Sequence, residues 1–188
     1  MADKQQDNHT MREIKASIRL SWFISILTFP GVIVHEWAHK LFCNLAGVRV
    51  HKTCYFRLGN PAGYVIHGSA DSYWKAFLID IAPFIINTTT AFVLFVVALN
   101  ISPGITSYVL YWLGISVAMH SFPSSKDADN LWDCSKRTWK HNPLALLGFP
   151  AVGMIKLAAL LSRIWFDLLY AIALLILAAF LFKGDSLF

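Results

Sequence analysis

The sequence predicts an all-α polytopic membrane protein of about four to five transmembrane helices, with a small β-hairpin after the first. Three observations carry that expectation. Of the 188 residues 56% are hydrophobic and 14% charged, against about a quarter charged in soluble domains, and the mean hydropathy is +0.53. Apolar windows over residues 18–46, 72–100, 105–122 and 144–182 compare with the roughly 20 apolar residues that cross a bilayer as a helix. The links between them are polar or rich in turn formers.

The opening "MADKQQDNHTMREIKASIRL" mixes acids and bases, unlike the short basic start of a cleaved signal peptide. Residues 1–17 are read as a polar tail or surface helix, 18–143 as the membrane core and 144–188 as C-terminal membrane helices. After the first window, "VRVHKTCYFRLGNPAGYVIHGSA" places two β-prone runs, "TCYFRL" and "YVIHG", on either side of the turn-forming "GNPAG", a hairpin at the membrane surface. The second and third windows are joined by the uncharged turn "NISPGITS". Then comes a long polar link, "HSFPSSKDADNLWDCSKRTWKHNP", in which Ser124 or Ser125 can cap a short amphipathic helix carrying Leu131, Trp132 and Trp139. The last run, about 39 residues, is interrupted by Lys156, Arg163 and Asp167, so it forms two helices or one helix plus a surface segment.

The net charge of +5 is scattered among the flanks of apolar windows. It suits contact with the anionic headgroups of a lipid bilayer and excludes a nucleic-acid partner, which calls for a clustered basic patch. Cys43, Cys54 and Cys134 are odd in number and lack a CxxC spacing, so free thiols are expected. Arg49, Lys52, Arg57 and Lys75 in the hairpin link, and Lys126, Lys136, Arg137 and Lys140 in the later link, place both on the cytoplasmic side. That assignment sends the tail outward although it holds Lys4, Arg12, Lys15 and Arg19, and the two loops are given the greater weight.

The stretch "FPGVIVHEWAHKLFCNLAG" sets His35, Glu36, His39 and Lys40 inside an apolar run, where charge is costly and rarely kept without function. His35 and His39 are four residues apart, on one helical face and about 6 Å apart along the axis. Both can reach one zinc ion. Glu36 projects beside such an ion without ligating it, placed to take a proton from a polarised water and return it to a leaving amine. It is one of two glutamates in the chain, the other being Glu13. The alternative is a buried cluster in which the histidines and Glu36 satisfy one another. A third ligand must come from elsewhere, and the candidates are His67, Asp80, His120, Asp127, Asp129 and Asp133.

HExxH in the first core helix, "APFIIN" in the second and the proline-flanked "FPSSKDADNLW" after the third together resemble the site-2 protease family of intramembrane zinc metalloproteases. The likeness covers roughly residues 20–135, and HExxH is its most specific element. "SFPSSKDADNLW" resembles a small branch related to that family and found in prokaryotes, which implies a multi-pass protein of a prokaryotic plasma membrane. The resemblance implies Zn2+ as cofactor, a membrane protein as substrate, His35, His39 and Asp127 as metal ligands and Glu36 as catalytic base. The family's aspartate is followed by glycine. Here neither Asp127 nor Asp129 is, and Asp127 is preferred as closer to the helix end.

Pro83 and Asn87 resemble the family's proline and asparagine of the second core helix. Asn87 can hold substrate backbone or polarise a scissile carbonyl, or it can simply make an interhelical hydrogen bond. Pro83 alone marks a kink. His67 is a candidate donor to a developing oxyanion, or a surface residue of the ribbon. Asp80 is expected as a buried partner orienting a ligand histidine, and Lys40 as a snorkelling side chain or the partner of an acid. The ribbon offers an edge to an extended substrate, whose peptide bonds are otherwise shielded within a helix. These expectations describe an intramembrane zinc metalloprotease. The alternative from another class is a non-catalytic membrane zinc-binding or scaffold protein, distinguished by a closed set of four protein ligands.

Overall fold

The computed structural model describes residues 23–161 and 165–183; the polar tail, the start of the first apolar window and Arg163 lie outside them. The chain is mostly helical: α1 (Phe29–Leu45), β1 (Val50–Cys54), β2 (Tyr64–His67), α2 (Tyr73–Asn100), α3 (Ile105–Met119), α4 (Ser125–Thr138), a 3-10 turn (Pro143–Leu147), α5 (Gly148–Leu161) and α6 (Phe166–Lys183). The two strands form one antiparallel sheet.

A helical segment over residues 23–27 leads into α1 and breaks at Thr28, whose hydroxyl donates to the Ile24 carbonyl at 2.7 Å. Pro30 suits the first turn of α1, where its missing N–H has no intrahelical acceptor to lose. Gly31 lets α1 lie directly on the α3 backbone, since a Cβ there would run into the Ser116 carbonyl. Ser116 locks the crossing: its hydroxyl donates to the Thr28 carbonyl and accepts from the Gly31 N–H, each at 2.9 Å.

The first predicted strand begins earlier than expected. The ladder pairs Val50 with His67 and Cys54 with Tyr64, and Tyr55–Leu58 of the expected strand lie in the loop instead. There the Arg57 side chain donates to the Pro61 carbonyl at 2.9 Å while its N–H bonds Ala62 at 2.7 Å, closing a compact loop that competes with strand pairing. Of the two serines offered as the cap of α4, Ser124 takes the position, and Ser72 caps α2. The C-terminal run resolves into two helices, and the three cysteines are free.

Ala91 and Phe95 of α2 pack against Val117 and Ala118 of α3 and Ala171, Leu174 and Ala178 of α6. The alanines permit close helix approach, as at contacts between membrane helices. Tyr73, Ala128, Leu131, Ala145, Val152 and Ile155 bind α4 and α5 to the start of α2, and Cys43, Val48 and Ile79 join the end of α1 to α2. Two described stretches, Tyr73–Asn100 and Pro143–Leu161, are long and apolar enough to cross a membrane; Ile105–Met119 and Phe166–Phe182 are apolar but shorter. Large apolar side chains, among them Val93, Tyr108, Met154, Ile176 and Phe180, lie exposed on these helices.

Candidate metal centre

His35, His39 and Asp127 converge, with one potential ligand atom from each lying within 4.8 Å of the others. The histidines share a face of α1, with ring centroids 5.0 Å apart. Asp127 comes from the first turn of α4, where Ser124 makes a reciprocal cap: the Asp127 N–H donates to the Ser124 hydroxyl at 3.3 Å, and the Ser124 N–H donates to Asp127 Oδ2 at 2.7 Å. The carboxylate is thereby held 3.6 Å from His39 Nε2.

The ring nitrogens away from the convergence are both occupied. His35 Nδ1 lies 2.8 Å from the His120 carbonyl and His39 Nδ1 2.9 Å from the Ile79 carbonyl. A carbonyl only accepts, so each Nδ1 carries a proton, and in the neutral ring each Nε2 keeps the lone pair. This arrangement of outer carbonyl, histidine and inner lone pair is the one that orients imidazole toward a metal. Zinc bonds of about 2.0–2.1 Å in a tetrahedron separate ligands by roughly 3.4 Å, so the His39–Asp127 spacing and the N,N,O donor set fit zinc.

The other candidates are engaged elsewhere. Asp129 is exposed and pairs with Lys156 at 2.9 Å, while Asp133 pairs with Lys136 at 3.6 Å. Asp80 is 2% exposed, and Asn130 Nδ2 donates to both of its oxygens at 3.0 Å. Because Asn130 lies three residues beyond Asp127, on the same face of α4, this clamp seats the helix that delivers Asp127. His120 contributes its carbonyl, and its ring Nδ1 lies 3.0 Å from the Ser116 carbonyl. His67 Nδ1 sits 2.8 Å from the Gly68 carbonyl, and the side chain borders the cavity in front of the histidines without joining the convergence. Lys40 lies over the Tyr55 ring at 5.4 Å.

Asn87 is wholly buried behind the histidines, not on the cavity wall. Its Nδ2 donates to the carbonyls of Gly31, Val117 and His120 at 3.3, 3.3 and 2.9 Å, tying α1, α2 and α3 together and fixing the carbonyl that holds His35. That is the interhelical hydrogen bond among the roles weighed for it. Sequence reasoning passed over Asn130, Ser116 and Gly63. Of these only the pattern Ser124-x-x-Asp127 nearby carried a readable signal, that of a capping box.

A cavity of about 620 Å³ opens on the centre, bounded by His35, Glu36, His39 and Asp127 on one side and by the hairpin on the other. Gly63 is buried against Glu36: a Cβ there would lie 2.6 Å from Glu36 Cγ and 2.9 Å from Oε1. β2 also lines the cavity, and its edge away from β1 has no strand partner among the described residues. Phe122 also lines the cavity and packs on Phe84, Phe166 and Tyr170 at centroid distances of 5.7, 5.4 and 4.9 Å. The site thus brings together three groups that could hold a metal ion and one carboxylate that is not among them. Compared with known protein families, curated proteins and solved structures, the chain matches none.

Proposed function

We propose that this protein is a multi-pass membrane zinc metalloendopeptidase that hydrolyses a peptide bond in or near the membrane-spanning part of a protein substrate. The observation that carries the reading is the convergence of His35, His39 and Asp127, with both histidine Nδ1 atoms committed to carbonyls and Glu36 facing the same cavity. Three protein ligands leave a fourth position open, as catalytic sites do, whereas a structural site is closed. Exposed Leu, Ile, Val and Phe on α2, α3, α5 and α6 support a lipid surround, because soluble proteins rarely leave such extended apolar surface uncovered.

Zinc, when bound, supplies a Lewis acid that polarises the scissile carbonyl and acidifies the attacking water. The chain's own residues do the rest. Glu36 accepts the proton of the attacking water and passes it to the leaving amine, so water adds across the C–N bond. The unpaired edge of β2 hydrogen-bonds an unwound substrate segment beside the ligands.

The test is twofold. Metal content of the detergent-purified protein should be near one zinc per chain, lost in His39→Ala and Asp127→Ala and retained in Asp129→Ala. Incubated with a mass-spectrometry library of apolar single-span peptides, the zinc-loaded protein should cleave, and Glu36→Gln should keep zinc yet cleave at least 100-fold more slowly. Bound zinc with equal cleavage by Glu36→Gln would refute the mechanism. Bound zinc with no cleavage at all would favour the non-catalytic zinc-binding reading.

A further inference from the structure

The helix α2 contains a proline at position 83, and a proline inside a helix withdraws one N–H from the ladder. In an α-helix the carbonyl that loses its donor lies four residues earlier. Here that carbonyl belongs to Ile79, and it is the atom that His39 Nδ1 meets at 2.9 Å. Both residues are deep in the fold, with Ile79 1% exposed and Pro83 among the fully buried side chains. No water competes for a carbonyl in that place, and a buried carbonyl left without a donor is disfavoured. The pyrrolidine ring also crowds the preceding turn and tilts that carbonyl off the helix axis. A defect in one helix therefore creates an acceptor that a histidine of the neighbouring helix fills.

We propose that Pro83 is a positioning residue for the metal centre. It reserves the Ile79 carbonyl for His39, which fixes that ring as the Nδ1–H tautomer and turns Nε2 toward Asp127. The inference deepens the zinc reading, on which its metal-affinity arm rests. Its tautomer arm needs no metal. The carbonyl that anchors His35, that of His120, lacks a helical donor for a different reason: it lies just beyond the end of α3, and its other partner is the Asn87 side chain at 2.9 Å. Each ligand histidine is thus anchored at an interruption of a neighbouring helix, one by a helix end and one by a proline.

Replacing Pro83 by Ala restores an N–H that bonds Ile79 within α2 and competes with His39. A merely structural proline predicts altered thermal stability and an unchanged ring. A positioning proline predicts a changed ring, whatever happens to stability. The experiment uses the full-length chain, labelled with ring-15N histidine in detergent micelles and free of metal, and reads His39 from long-range 1H–15N correlations. Zinc affinity is then measured by competition with a chromophoric chelator.

In the wild type His39 should be the Nδ1–H tautomer. In Pro83→Ala it should become a mixture, and the zinc Kd should rise about 10- to 100-fold, the usual cost of losing an outer-shell partner. Pro83→Gly introduces the same N–H with less side chain and should behave alike. An Nε2–H tautomer of His39 in the wild type overturns the proposal without any variant. So does a folded Pro83→Ala or Pro83→Gly whose ring spectrum is unchanged and whose zinc Kd stays within twofold. A tautomer change in either variant supports the role of Pro83 even if the wild type takes up no zinc, a result that would instead overturn the protease reading.

Discussion

Gly63→Ala tests whether the hairpin is seated on the Glu36 carboxylate. The added Cβ would fall 2.6 Å from Glu36 Cγ, 2.9 Å from Oε1 and 3.0 Å from Cδ. Carbon atoms rest about 3.5–4.0 Å apart, so the methyl is roughly 1 Å too close and either the carboxylate or the loop must move by that much. A misplacement of about 1 Å in a positioned catalytic group costs on the order of 100-fold in rate. The three nearest atoms all belong to Glu36 and none to His35, His39 or Asp127, so the metal site should be spared. The assay is cleavage of whichever apolar peptide the wild type cuts, run beside zinc content and zinc Kd. The expected result is about a 100-fold fall in kcat/KM with zinc binding within twofold of wild type. Unchanged cleavage would refute the seating of the loop on Glu36, and parallel loss of zinc would show that the damage is not local to the carboxylate.

Asn130→Ala removes the side chain that donates to both oxygens of the buried Asp80 carboxylate and should lower stability by about 1–3 kcal/mol; thermal unfolding in detergent reads the loss, and zinc Kd should rise as α4 loosens. Ser124→Ala removes one half of the α4 cap and should cost about 1 kcal/mol, with a smaller loss of zinc affinity than Asp127→Ala because the Ser124 N–H still holds Oδ2. Phe95→Ala empties the centre of the α2, α3 and α6 cluster and should cost about 3–5 kcal/mol in unfolding free energy while leaving the zinc Kd of the folded fraction unchanged.

The pattern at residues 35–39 was legible because ligand spacing on one helix is a local property: a rise of about 1.5 Å per residue places His35 above His39 whatever surrounds them. The helices α2 and α3 were legible for the same reason, as long apolar runs bounded by Ser72 and by "NISPGITS". The end of β1 was not, because Arg57 closes its own loop by hydrogen bonds that strand propensity does not encode.

By itself, then, the sequence determined the helical elements, the paired histidines beside Glu36 and a short set of acids from which a third ligand could come. Only the tertiary structure selected among those acids. Asp127 and Asp129 are two residues apart on α4, and a helix turns such a pair to different faces. The Asp80–Asn130 clamp and the Ser124 cap set the rotation of α4, so Asp127 faces His39 while Asp129 reaches Lys156. The tautomers of His35 and His39 were likewise decided by carbonyls 85 and 40 residues away in the chain. Long-range partners of this kind follow from how helices pack against each other, which no local pattern of residues records.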